Sequence, residues 1–118
     1  MKTAAELFAD SKARIAQITP TEAMSARSSD ASTVLIDVRE DREWNLGHAT
    51  GAVHMSRGTI ESKIDSAVPR NATVILYCAS GNRSALAAES LTAMGYTNVS
   101  SMSGGFRGWV DAGGEVEG

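Results

Sequence analysis

A chain of 118 residues is long enough to bury one hydrophobic core and short for two. Its 42% hydrophobic and 21% charged residues, with 11 Lys and Arg against 14 Asp and Glu, describe a mildly acidic globular protein, and no basic run with interleaved aromatics recommends nucleic acid. The opening "MKTAAELFADSKARIAQI" carries Glu6 and Asp10 and lacks an unbroken apolar core, so neither a signal peptide nor a membrane span is expected and the cytoplasm is the default location.

In chain order, Ala4, Leu7, Phe8, Ile15 and Ile18 recur at helical spacing, which predicts a helical extension over about 1–18 ahead of the minimal domain. Its expected place is as a cap on the sheet or an apolar groove, although a dimer contact would read the same. Thr19, Pro20 and Glu22 form the signature of a capping box and open a second helix. "TVLIDV" (33–38) is β-branched and apolar, as a strand buried on both faces should be. "EDREWNLGH" reads as a short polar helical turn ended by Gly47, "GAVHMS" as a strand and "TIESKIDS" as a short helix. "ATVILYC" (72–78) is the most strand-like run and belongs at the sheet centre. Ala87, Leu91 and Met94 then give one apolar helical face stopped by Gly95. "NVSSMS" reads as the last strand, and "GGFRGWVDAGG" as a short helix between glycine pairs. Strands alternating with helices predict one α/β domain over 1–118 with a mainly parallel sheet.

The single cysteine, Cys78, stands at the carboxyl end of the central strand, where such folds gather their ligands. "CASGNRS" runs from there straight into a helix. Its small and polar residues permit a tight curl with N–H groups pointing inward, and Gly81 can take a positive φ. The helix adds unpaired N–H groups and the positive end of its dipole, so a thiolate here should have a depressed pKa. Arg83 would supply a permanent charge and a fork of donors. The plainer reading is a buried packing thiol, since free cysteine is often core. One cysteine also leaves no partner thiol in the chain, so any covalent state of Cys78 must be discharged by another molecule.

"CASGNRS" resembles the active-site loop of the rhodanese sulfurtransferases. "LIDVRE" (35–40), "GHATGAVHMSRG" (47–58) and "GGFRGWVDAGG" (104–114) resemble three further motifs of that family, in the same order. The resemblance implies a five-stranded parallel sheet with helices on both faces. It also implies that Cys78 attacks the outer sulfur of thiosulfate or a similar small anionic donor, expels sulfite and becomes a persulfide. Ala79, Ser80, Gly81, Asn82, Arg83 and Ser84 would cradle the added sulfur and receive the donor. A thiol or cyanide would take the sulfur, with a thioredoxin-like or other sulfur-carrier protein among the acceptors. No cofactor is implied.

By the same resemblance Asp37 braces the loop, and Arg39 with Glu43 forms a structural charge network beside it. His48 fixes its turn by side-chain hydrogen bonds, and Arg57 is a candidate second cation at the mouth. His48, His54 and Cys78 lack metal-ligand spacing, so no metal is expected. Trp44 and Trp109 read as core or rim aromatics, and Gly104 and Gly105 as shaping a loop beside the site. Two other readings compete. Dual-specificity phosphatases of the cell-cycle type have the same cradle but resemble Cys-x5-Arg, whereas Cys78 and Arg83 enclose four residues, a smaller ring suited to one sulfur atom. A non-catalytic rhodanese-like binding module is the third reading, disfavoured by the intact Cys78, Gly81 and Arg83.

Overall fold

The computed structural model describes residues 1–118 as six helices, a five-stranded sheet and a two-stranded ribbon. Helix α1 (Ala4–Arg14) opens on a capping box: Thr3 Oγ1 accepts from the Glu6 N–H at 3.1 Å, and the Glu6 carboxylate accepts from the Thr3 N–H at 3.0 Å. The expected helical extension is shorter than the sequence pattern indicates. It ends at Arg14, and Ala16–Ile18 form strand β1 at the edge of the sheet. Ile15 and Ile18 are β-branched and stiff in a helix, and Pro20 holds Thr19 in extended backbone, so this stretch gains more from a ladder than from another turn.

Helix α2 (Pro20–Ser29) begins on the Thr19–Glu22 box read from the sequence. There follow β2 (Val34–Asp37), α3 (Asp41–Asn45), β3 (His48–Ala49), β4 (Val53–His54), α4 (Ile60–Ala67), β5 (Thr73–Tyr77), α5 (Asn82–Ala93), β6 (Asn98–Met102), α6 (Gly105–Asp111) and β7 (Val116–Glu117). The main sheet has the order β1-β6-β5-β2-β4 with every pair parallel. The strand expected over 51–56 shrinks to two residues. The last residues return to the domain, because β7 pairs antiparallel with β3.

Side chains of the central strands alternate between two apolar layers, as the two-residue strand period requires. Ile36, Val38, Val74, Leu76 and Cys78 pack with Ile60 and Ile64 of α4 and with Ala87, Ala88 and Leu91 of α5. Leu35, Ile75 and Tyr77 pack on the other side with Ala23 of α2 and Trp109 of α6. The architecture is therefore the α/β layered fold expected, with helices on both faces. The register sets Asp37 level with Tyr77, and Leu76 level with Ser101, so the ends of β2, β5 and β6 reach one edge together. Helix α1 lies on α5, tied by Arg14 to Glu89 at 2.7 and 3.2 Å. No helix is long and apolar enough to cross a membrane.

Candidate active site

Cys78 follows the central strand directly, and its side chain is 1% exposed. Gly81 takes φ +106°, a conformation that costs other residues free energy, and so turns the chain back toward the sulfur. The Gly81 N–H points at Sγ at 3.1 Å and the Ser84 N–H at 3.4 Å, with Ser84 Oγ at 3.5 Å. No side chain caps α5, so the sulfur itself satisfies a first-turn N–H that would otherwise lack an acceptor. Burial alone would push the thiol up. The Ser84 hydroxyl and the N–H groups of Ser84, Ser80 and Gly81 outweigh it, and the Cys78 pKa lies below the ordinary thiol value. The N–H groups of Ala79, Asn82 and Arg83 bond to no other group of the protein. They remain as donors around the loop.

The Gly104–Gly105 pair supports the loop from behind. A Cβ on Gly105 would stand 2.4 Å from the Cys78 carbonyl oxygen and 2.5 Å from that of Ala79, so only glycine lets α6 approach this closely. The Phe106 N–H then donates to the Cys78 carbonyl at 2.8 Å. On the other flank Ala5, Phe8, Ala9 and Lys12 of α1 and Asn82 of the loop line a depression of about 460 Å³. A second cleft, of about 510 Å³ between α2 and the end of α6, has no residue of the Cys78 loop in its wall.

The charged residues sit differently from the sequence expectation. Arg83 is not a free cation: its guanidinium grips Glu43 with two bonds of 2.7 and 3.0 Å, and this pairing holds the Glu43 carboxyl down at about 2. Glu43 is thus the partner of Arg83, and no hydrogen bond joins it to Arg39. Asp37 does not reach the loop. Fully buried, it accepts from the Arg39 backbone at 2.8 Å and from its guanidinium at 2.8–3.1 Å, and Arg39 also donates to the Gly47 carbonyl at 2.7 Å. Arg39 lies over the Phe106 ring at 4.3 Å. Arg57 has a partner too, Glu61 at 2.9 Å, whose carboxylate also accepts from Ser90 at 2.7 Å.

His48 donates through Nδ1 to the Trp44 carbonyl at 3.1 Å and stacks on the Trp44 ring at 3.4 Å, holding the turn between α3 and β3. His54 donates to the Arg39 carbonyl at 2.7 Å and stacks on Trp44 at 5.0 Å. Trp109 is buried, with its indole N–H on the Glu115 carbonyl at 2.8 Å. One buried polar residue at the site gave no sign in the sequence beyond a place in the last strand: Ser101, whose Oγ lies 2.7 Å from Ser84 Oγ.

The fold and site define a class of α/β domain in which a cysteine sulfur at the end of the central parallel strand is held by a short loop at a helix N-terminus. The chain belongs to the Rhodanese-like domain family, whose model matches residues 19–112. It is 37% identical over 93 residues to the thiosulfate sulfurtransferase GlpE of Pseudomonas fluorescens, covering 79% of this chain and 83% of that one. GlpE of Tolumonas auensis is 36% identical over 66% of this chain and 73% of its own. Among solved structures, RPA3614 of Rhodopseudomonas palustris, a protein of unknown function described as a possible tyrosine phosphatase, superposes with a TM-score of 0.87. It is 32% identical, over 99% of this chain and 96% of its own. The rhodanese-like domain of Alr3790 from Anabaena gives 0.79 at 25% identity, over 86% and 78%.

Proposed function

We propose that this rhodanese-type sulfurtransferase moves sulfane sulfur through a persulfide on Cys78, with thiosulfate or a comparable small anion as donor. The observation that carries the reading is the thiolate pocket: Sγ buried, with two N–H groups and a hydroxyl on it and three further N–H groups of the same loop unfilled. In the first half-reaction the thiolate attacks the outer sulfur of thiosulfate, a new S–S bond forms, the old one breaks, and sulfite leaves with the electron pair. In the second, cyanide or a thiolate attacks the outer sulfur of the persulfide and the Cys78 thiolate leaves. With one cysteine in the chain the acceptor must be another molecule, a small thiol, cyanide, or a thioredoxin-like or other sulfur-carrier protein. Lys12, which has no carboxylate partner, and the α5 dipole support binding of an anion, a task that Arg83 cannot perform without releasing Glu43.

The relatives named thiosulfate sulfurtransferase support this reading. The description of RPA3614 motivates the second, phosphatase reading. Against it stand the four-residue spacing, which closes the loop on the sulfur atom itself, and the Arg83 fork, which is occupied by Glu43 rather than open to phosphate oxygens.

The test is intact-mass analysis after incubation with thiosulfate, beside Cys78→Ser, followed by a cyanide chase. The expected result is a gain of about 32 Da on the wild type alone, removed by cyanide with release of thiocyanate. A wild type that gains no mass from thiosulfate or from a protein persulfide, yet hydrolyses an aryl phosphate through Cys78, would replace this reading with the phosphatase.

A further inference from the structure

We propose that Ser101 is a positioning residue for Cys78, acting through Ser84 to fix the direction of a buried hydroxyl chain that ends on the sulfur. The inference rests on the reading of Cys78 as a thiolate nucleophile. The chain runs Ser101 Oγ to Ser84 Oγ at 2.7 Å and Ser84 Oγ to Cys78 Sγ at 3.5 Å. Ser84 and Ser101 are 0% and 1% exposed, so bulk solvent does not reach their hydroxyls.

A serine hydroxyl has one proton, and the chain can therefore point in only two directions. Pointed toward the sulfur, Ser101 donates to Ser84 and Ser84 donates to Sγ, and both protons are used. Pointed away, Ser84 donates to Ser101, and the Ser101 proton faces a buried space in which no other protein group accepts from it. A buried donor without an acceptor is unfavourable, so Ser101 biases the pair toward the arrangement that places a donor on the sulfur. That arrangement suits a thiolate and disfavours a thiol that would donate to Ser84. The lowered Cys78 pKa, to which the Ser84 hydroxyl contributes, agrees in direction.

The same chain ties the loop to the sheet. Ser101 sits on β6 level with Leu76, two residues before Cys78 on the neighbouring strand β5. Its hydroxyl is therefore held by backbone ladders on rigid elements, while Ser84 rides on the first turn of α5.

The readout is the pH dependence of Cys78 alkylation by iodoacetamide, followed by mass in wild type, Ser101→Ala, Ser101→Thr and Ser101→Val, with folding checked by circular dichroism. Ser101→Ala should raise the midpoint by about 0.5–1 pH unit, the size of one modest net hydrogen bond. Ser101→Thr should restore the wild-type midpoint, and Ser101→Val, equal to Thr in bulk but without the hydroxyl, should not. The Thr and Val pair carries the test even if the alanine variant is unstable. Equal midpoints in all folded variants would overturn the role of Ser101. Alkylation needs no sulfur donor, so that failure is separate from a failure to form the persulfide, which the mass experiment with thiosulfate reads.

Discussion

Replacing Glu43 with Gln removes the charge that holds Arg83 and leaves the shape nearly unchanged. The Glu43 carboxyl sits at about 2 in the folded protein against 4.5 for the free group, chiefly because Arg83 hydrogen-bonds to it, with burial opposing. Taken at face value that difference is worth about 3.4 kcal/mol above the free-group pKa. The side chains of Arg83 and Glu43 are 32% and 25% exposed, so solvent screening and the entropy of fixing both reduce it to about 1–2 kcal/mol. The sign follows from the depressed pKa: the stabilisation is full above 4.5 and is lost as pH falls toward 2. Thermal melts of wild type and Glu43→Gln should therefore differ by about 3–8 °C at pH 7, and by less than half of that near pH 3. A double-mutant cycle with Arg83→Gln should return most of the difference as coupling. Equal destabilisation at pH 7 and pH 3 would refute the ion-pair account and assign the loss to packing. No destabilisation at pH 7 would make the pair an ordinary surface contact, and Arg83 would again be available to an anion.

Gly105→Ala should lower stability by at least about 2 kcal/mol and abolish sulfur loading, because its Cβ meets the Cys78 and Ala79 carbonyls. Gly104→Ala, whose Cβ would meet nothing closer than 3.5 Å, should cost only about 1 kcal/mol for its φ of +77°, and chemical denaturation of the two separates contact from conformation. Asp37→Asn should lower the unfolding free energy by about 3–5 kcal/mol, since it leaves Arg39 charged in a buried place, and a loss below about 1 kcal/mol would contradict that. Tyr96→Phe removes the hydroxyl that donates to the Val68 carbonyl at 2.6 Å and accepts from Arg70 at 3.1 Å, so a loss of about 1–3 kcal/mol is expected in urea denaturation.

What could be read from the chain divides by the range of the interaction. The Cys78 loop was legible because its curl is set by contiguous residues: the strand, the small residues, Gly81 and the first turn of α5. The α2 cap was legible for the same reason, as Thr19 and Glu22 are neighbours. The partner of Arg83 was not. The family resemblance implied Arg39 beside Glu43, but α3 turns Glu43 toward Arg83, and Asp37 already occupies the Arg39 fork. Strand β1 was hidden because three residues beside a helical pattern carry too little periodicity, and only the open edge of β6 makes them a strand. Ribbon β3–β7 required knowing that the last residues return to His48. Ser101 looked like any strand serine, since its significance lies in a distance to Ser84 and not in its neighbours.

The loop divides its backbone donors into two groups, and that division bears on the proposed cycle. Gly81 and Ser84 donate to Sγ in the resting protein, so the sulfur is the acceptor that completes the start of α5 and, in the proposed cycle, also the nucleophile. A thiol accepts such bonds poorly, and the helix terminus therefore favours the charged state that catalysis needs. Ala79, Asn82 and Arg83 keep their N–H groups unfilled. When an outer sulfur is added the negative charge moves to it, one bond further from Sγ, and these three donors are the ones left to meet it without withdrawing the pair already on Sγ. In the proposed cycle the loop would then hold thiolate and persulfide without refolding between half-reactions. In the proposed cycle Glu43 would have a matching role: the ion pair fixes the Arg83 guanidinium beside the loop, so that it would not close over an added sulfur and bar the acceptor. On this account Glu43→Gln should slow discharge by a bulky thiol more than discharge by cyanide. Equal rates relative to wild type for the two acceptors would show that the Glu43–Arg83 pair stabilises the fold and has no part in admitting the acceptor.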